Sequence, residues 1–299
     1  MKKNYYLGIS PEGFHEVAYT EWGNWSDQFP SIVCAHGLTR NGRDFDELAM
    51  YLSNKGRYVV CPDVVGRGES SWFKHPSNYN FPQYVSDMNT LIARANTHHI
   101  DWIGTSMGGI IGMMLAALPN TPIRKLVIND IGPQIPLKGL KRLAKYAGKD
   151  PVFKTIEEAK VYCKIHYADF GDLSEEQWDH FTEHSIKQRA PNLYTLKVDP
   201  GIRNTKSSSK WLNEFIHHPR KALEGIFYDV DLWAIWKQIR CPVLVIHGQR
   251  SDLLTPEIIL NMRRTHPYIE VYEIENAGHA PALLDQKNHE AIYNWLIMN

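Results

Sequence analysis

Residues 99–118, His-Ile-Asp-Trp-Ile-Gly-Thr-Ser-Met-Gly-Gly-Ile-Ile-Gly-Met-Met-Leu-Ala-Ala-Leu, constrain this chain more than any other stretch. The apolar run 100–103 leads into Gly104-Thr105-Ser106-Met107-Gly108, and a long segment of small and apolar residues follows. The pattern predicts a buried strand, a sharp turn and a buried helix. Glycines two before and two after the serine fit a turn where any side chain would strike the neighbouring strand or helix. Such a turn lifts the Ser106 hydroxyl above the sheet edge, at the positive end of a helix. A serine that merely caps the following helix would leave the same local signature. The rest of the chain decides between the two.

Alternation of polar and apolar residues over 5–22, around Ser10-Pro11-Glu12-Gly13, predicts an antiparallel hairpin at a sheet edge. Apolar runs at 31–35, 58–61, 100–103, 124–129 and 242–247 have the texture of strands buried on both faces. Helical patterns separate them, at 45–52, 84–95 and after Ser106. Alternating strands and helices predict an α/β fold with a mostly parallel sheet covered on both faces. In such sheets ligands bind beyond the carboxyl ends of the strands. His36, Asp63, Ser106 and Asp130 all fall at such ends.

Between 134 and 228 the strand-like runs give way to helical patterns rich in aromatics: Tyr162, Tyr167, Phe170, Trp178, Phe181, Tyr194, Trp211 and Phe215. The strand pattern resumes at 242. Residues 134–228 are therefore expected to form an all-helical cap inserted between two sheet strands, with 1–133 and 229–299 as the core. Its aromatics are expected mainly to pack against one another. Residues 204–209 are polar and are expected to form a mobile loop.

The 299 residues suffice for a large core, and 33 basic against 33 acidic side chains leave a formal net charge of zero. No overall field favours nucleic acid or an anionic membrane, so a small molecule is the expected partner. The N-terminal residues lack the apolar core of a secretory signal, and no apolar run is long enough to span a membrane. Cys34, Cys61, Cys163 and Cys241 are scattered, which suits free thiols in a cytoplasmic protein. No metal-type Cys/His spacing stands out, and no metal is expected. Gly66 and Gly68 begin a dinucleotide fingerprint that Ser71 interrupts, so no nucleotide cofactor is expected.

A serine hydroxyl becomes a competent nucleophile when a base takes its proton and a carboxylate orients that base. Ser106, Asp252 and His279 follow successive strands in the chain order that accompanies a nucleophile elbow. His279 sits in Ala277-Gly278-His279-Ala280-Pro281, where small neighbours let an imidazole lean over the rim. Asp252 is the expected acid because its loop follows a strand next in line to the one preceding His279. Asp130 is the alternative: it also ends a strand and either reaches the same histidine or caps the first turn of the insertion. The N–H groups of Leu38 and Met107 are the candidate oxyanion donors, with His36 holding the Leu38 loop. Arg40, Arg43 and Arg67 are expected to be solvated loop arginines rather than receptors for a substrate carboxylate.

Taken together, His36-Gly37, Asp63-x-x-Gly66-x-Gly68-x-Ser70, Gly104-Thr105-Ser106-Met107-Gly108-Gly109, Asp252 and Gly278-His279 resemble the α/β-hydrolase fold superfamily. The resemblance covers the chain outside the insertion. It implies an eight-stranded sheet with a cap, a Ser-His-Asp triad and no cofactor, and it is specific for machinery rather than substrate. Branches with an aspartate nucleophile are disfavoured by serine at 106. The C–C hydrolases of meta-cleavage type share Ser-Met-Gly-Gly, but many carry tryptophan after the catalytic histidine, where Ala280 stands here. The expected activity is hydrolysis of a small carboxylic ester through an acyl-enzyme. Hydrolysis of a carbon–carbon bond with the same triad, and a non-catalytic receptor with an idle one, are the alternatives.

Overall fold

The computed structural model of the protein describes residues 1–95, 98–147, 150–204 and 229–298. Strands β1 (Lys2–Ser10), β2 (Gly13–Trp22), β3 (Ser31–Ala35), β4 (Val59–Pro62), β5 (Ile100–Thr105) and β6 (Ile123–Asn129) precede the insertion. Within it lie β7 (Gln134–Ile135), β8 (Val152–Phe153), β9 (Ile186–Ala190) and β10 (Leu193–Leu196), and β11 (Val230–Asp231), β12 (Val243–Gly248) and β13 (Ile269–Ile274) follow. The main sheet has eight strands in the order β1-β2-β4-β3-β5-β6-β12-β13. The β1–β2 and β2–β4 pairs are antiparallel and every other neighbouring pair is parallel. The leading hairpin thus lies at the edge, as its alternation predicts.

Burial explains why the central strands read as continuous apolar runs. All five residues of β3 and all six of β12 are buried, with successive side chains entering opposite layers. Val33, Trp102, Leu126, Ile128, Val243 and Val245 belong to one apolar layer, beneath α2 (Phe81–Arg94), α3 (Met107–Ala116) and α9 (Pro256–Thr265). Ile32, Cys34, Ile103, Val127, Leu244 and Ile246 belong to the other, beneath α1 (Asp46–Asn54) and α10 (Gln286–Ile297). Helix α2 starts one turn earlier than its apolar spacing suggests, because the Asn80 side chain accepts from the Gln83 amide at 3.0 Å and Pro82 suits the first turn.

The insertion leaves the sheet after β6 and returns before β12, two strands that are neighbours in the sheet. Its ends meet, since β7 pairs with β11. Helices α4 (Leu137–Ala147), α5 (Ile156–His166), α6 (Glu175–Ser185) and α7 (Pro200–Asn204) lie within it, and α8 (Trp233–Trp236) follows β11. The expectation of an all-helical insertion is corrected: β8, β10 and β9 form a three-stranded antiparallel sheet. The β9–β10 connection turns through Pro191-Asn192, with Asn192 at φ 57°, a conformation asparagine tolerates well. Trp178 and Phe181 pack with Cys163 as expected of insertion aromatics. Trp211, Phe215 and the expected loop beyond Asn204 lie outside the described residues, and Asn204 itself ends α7. Cys34, Cys61 and Cys163 are buried and all four cysteines are free thiols. Among the described residues no helix is long and apolar enough to cross a membrane.

One polar cluster is buried beneath this sheet. Asp101 on β5 is fully buried and accepts from Arg57 Nη2 at 2.6 Å, while Arg124 reaches both of its oxygens at 2.9 and 2.8 Å. Arg57 is itself only 1% exposed. Removing the carboxylate strands a buried guanidinium, so Asp101→Ala should destabilise the protein by about 3–5 kcal/mol. Urea unfolding at neutral pH, followed by the shift in midpoint, measures this.

Candidate active site

Ser106 is the hinge between β5 and α3, with φ 50° and ψ −108°. A β-carbon on Gly104 would overlap the Gly108 carbonyl, and one on Gly108 would overlap the Ala35 carbonyl of β3. The two glycines therefore let strand, turn and helix approach closely enough to hold the serine in a backbone conformation that costs on the order of 1–3 kcal/mol. The Ser106 amide donates to the Asn129 carbonyl at 3.0 Å and the Gly108 amide to the His36 carbonyl at 3.1 Å. Both neighbouring strands thus fix the turn.

His279 comes from the loop after β13. Its Nε2 lies 2.9 Å from Ser106 Oγ and its Nδ1 2.9 Å from Asp130 Oδ2. A carboxylate only accepts, so the proton belongs on Nδ1 and the lone pair of Nε2 faces the serine hydroxyl. Asp130 is fully buried at the end of β6, with φ 55°. Its Oδ1 accepts from the Gly248 amide at 3.0 Å, and its Oδ2 also accepts from the Ser251 hydroxyl at 2.6 Å.

The acid expected from the loop after β12 stands elsewhere. Asp252 is held by Arg142 of α4, with Nε–Oδ2 at 2.7 Å and Nη2–Oδ1 at 2.6 Å. The Arg142 guanidinium holds the Asp252 carboxyl below its usual range. The correction has a simple geometric cause. Asp130 is the first residue past β6 and turns at once toward the rim, whereas Asp252 lies four residues past Gly248 in a loop that bends toward the insertion. From that loop it is Ser251 that reaches the site, through Asp130.

Leu38 and Met107 flank the serine. Met107 is the first residue of α3, so its N–H has no partner within the helix. Leu38 follows Gly37 in a loop that His36 fastens from within: Nδ1 donates to the Gly37 carbonyl at 2.7 Å and Nε2 accepts from the Val64 amide at 2.9 Å. Burial pushes the His36 imidazole down to about 3. Arg67 fastens the same loop from outside, donating from Nε to the Leu38 carbonyl at 2.9 Å and from Nη1 to Tyr84 Oη at 2.8 Å.

The expectation of solvated arginines is corrected for Arg40 and Arg67, which are 3% and 0% exposed. Arg40 pairs with Asp44, donates to Ser185 Oγ at 2.6 Å and lies 3.4 Å over the Phe181 ring. Arg43 pairs with Asp46. Each of these guanidiniums is engaged inside the protein.

An open cleft lies over the serine, lined by Leu38, Ser106 and His279 from the core and by Arg142, Tyr167 and Phe170 from the insertion. Sequence reasoning missed two contributors, Arg142 and the turn at Ala168–Phe170. The Gly278 amide donates to the Asp169 carbonyl at 2.7 Å and the Ala282 amide to the Phe170 carbonyl at 3.0 Å, so that turn grips the His279 loop on both sides. Neither signal exists in one dimension, because each partner lies about a hundred residues away.

A sequence profile described as the alpha/beta hydrolase fold matches residues 30–286. The chain belongs to that family. A 3-hydroxybutyrate-oligomer hydrolase of Cupriavidus necator is 42% identical to this α/β hydrolase over 280 residues, covering 93% of this chain and 91% of the relative. The crystal structure of a Rickettsia typhi protein superposes with a TM-score of 0.86 at 33% identity over 99% of each chain. That of an α/β hydrolase from Novosphingobium aromaticivorans gives 0.82 at 29% identity, covering 99% and 97%.

The neutral His36 gives this α/β hydrolase a pH signature. Its imidazole titrates near 6.5 when unfolded and at about 3 when folded, so the unfolded chain binds the extra proton between those values. Stability contributed by neutral His36 is complete above about pH 6.5 and is lost as pH falls toward 3. His36→Gln should lower stability at pH 7 and flatten its decline below pH 6 by about 1.4 kcal/mol per pH unit. Urea midpoints at pH 7 and pH 4.5 test both parts.

Proposed function

We propose that this α/β hydrolase cleaves a small carboxylic ester through an acyl-enzyme, with Ser106 as nucleophile, His279 as base and Asp130 as the acid that orients it. The observation that carries this reading is the continuous relay from Ser106 Oγ through the His279 imidazole to Asp130, with both contacts at 2.9 Å. Asp130 keeps the proton on Nδ1, which leaves Nε2 to take the serine proton as Oγ attacks the carbonyl carbon. The Leu38 and Met107 amides donate to the developing oxyanion. His279 then passes its proton to the departing alkoxide oxygen as the ester C–O bond breaks. A water, deprotonated by the same imidazole, attacks the acyl-enzyme and releases the acid and free Ser106. The inserted segment 134–228 acts as a cap over the cleft, its Tyr167 and Phe170 supplying apolar walls.

For the substrate we infer a short oligoester of a hydroxyalkanoic acid. The 42% identity to the 3-hydroxybutyrate-oligomer hydrolase, spread over 91% of that protein, supports this class. The bond at issue is a carboxylic ester, which suits an alkoxide leaving group protonated by His279.

Ser106→Ala should lower kcat on p-nitrophenyl butyrate and on linear 3-hydroxybutyrate dimer by about 10⁴-fold or more without loss of fold. Asp130→Asn should cost about 10⁴-fold, since an amide no longer enforces the Nδ1 tautomer, whereas Asp252→Asn should stay within about tenfold of wild type. Steady-state hydrolysis of both substrates checks the set. A crippled Asp252→Asn beside an active Asp130→Asn would overturn the assignment, and turnover of a dienoate diketone with no ester hydrolysis would favour carbon–carbon chemistry.

A further inference from the structure

Away from the Ser106 cleft, the joint between insertion and core brings together three donors that the hydrolytic reading does not use. His180 and His184 stand one turn apart on α6, and Asp46 is the first residue of α1. One ligand atom from each lies within 4.8 Å of the others. His180 Nε2 is already 3.2 Å from Asp46 Oδ2, and the two imidazole centroids are 4.4 Å apart. Two imidazole nitrogens and a carboxylate oxygen around a tetrahedral ion, each about 2.0–2.2 Å from it, stand roughly 3.4 Å from one another, so small side-chain rotations close the set.

Asp46 and His184 already face a cation, whereas His180 Nε2 lies between two acceptors, Asp46 Oδ2 and the Arg43 carbonyl at 3.3 Å, and becomes a ligand once its proton moves to Nδ1. Arg43 Nε donates to Asp46 Oδ1 and Oδ2 at 2.9 and 2.7 Å, and its Nη1 lies 3.5 Å from His184 Nδ1. The Asp46 carboxylate is 8% exposed while the Arg43 side chain, at 17%, has a route outward. We propose that Asp46, His180 and His184 form a site for a divalent transition ion of the zinc class, which takes the place of the Arg43 guanidinium and pins α6 of the insertion to α1 of the core. Two imidazoles with one carboxylate suit zinc, cobalt or nickel and do not suit calcium or magnesium, which prefer all-oxygen sites. A water completes the fourth position. Imidazoles at i and i+4 share one helix face, so α6 presents the pair without strain. The third ligand is more than 130 residues away in the chain, which hides the set from a search for local motifs.

The site is structural and independent of Ser106. Protein stripped with EDTA and titrated with zinc chloride in a calorimeter should bind one equivalent, with a rise in Tm. Cobalt chloride should give the absorbance of a four-coordinate ion. His180→Ala and His184→Ala should each weaken zinc at least about tenfold, a ligand-loss effect. Arg43→Gln should tighten zinc by a similar factor, because it removes the competing cation while leaving every ligand in place. Circular dichroism of the stripped proteins verifies folding, and Arg43→Gln remains informative should either histidine variant fail to fold. Unchanged stoichiometry and affinity in folded His180→Ala and His184→Ala would put any zinc on other histidines and overturn the proposal. Absence of zinc uptake by both wild type and Arg43→Gln would do the same.

Discussion

A single buried carboxylate holds three strand ends of this protein in register. Asp130 takes the Gly248 amide from the end of β12, the Ser251 hydroxyl from the loop after it, and the imidazole from the loop after β13. A desolvated carboxylate is unfavourable unless its lone pairs are filled, and here the donors that fill them belong to segments that must meet for the site to exist. The same contacts that settle the charge therefore orient His279 toward Ser106. Asn129 adds a second tie, its amide nitrogen reaching Thr105 Oγ1 at 3.1 Å and the Pro281 carbonyl at 2.8 Å.

Around that carboxylate the rim is built from rigid neutral and paired groups rather than mobile charges. His36 is locked neutral inside the Leu38 loop, and Arg67 spends its donors on backbone carbonyls and a tyrosine. Arg40 lies against Phe181 and Tyr167 while paired to Asp44, and so ties the rim to the insertion. Sequence position alone suggested solvent for these arginines. Arg40 is covered by Tyr167, Phe181 and Ser185 of the insertion, while Arg67 is enclosed by Leu38, Val65 and Tyr84 of the core, and no local pattern reveals either enclosure.

The central sheet was legible because β3, β5, β6 and β12 are covered on both faces and so read as apolar runs, with polar members such as Asp101 and Lys125 admitted only where a partner meets them. Ser106 stood out because it stops an apolar run between glycines, and His279 because small residues flank it in a loop after the last strand. Asp130 and Asp252 share that signature, and only the direction of the backbone after each strand separates them, which depends on Asp130 adopting φ 55° and on Arg142 capturing Asp252. The short strands of the insertion escaped notice since β9 and β10 are half exposed and lack clean alternation. Their turn at Pro191-Asn192 was the available signal.

The backbone grip of Ala168–Phe170 on the loop bearing His279 means that the insertion is no detachable lid. Swinging it outward as a rigid flap would break the two hydrogen bonds, from the Gly278 and Ala282 amides, that steady the loop carrying the imidazole. Any opening of the cleft that leaves this inner turn seated spares both contacts. Anyone transplanting an insertion from a related enzyme would need to bring along a matching pair of carbonyls, or leave the histidine adrift.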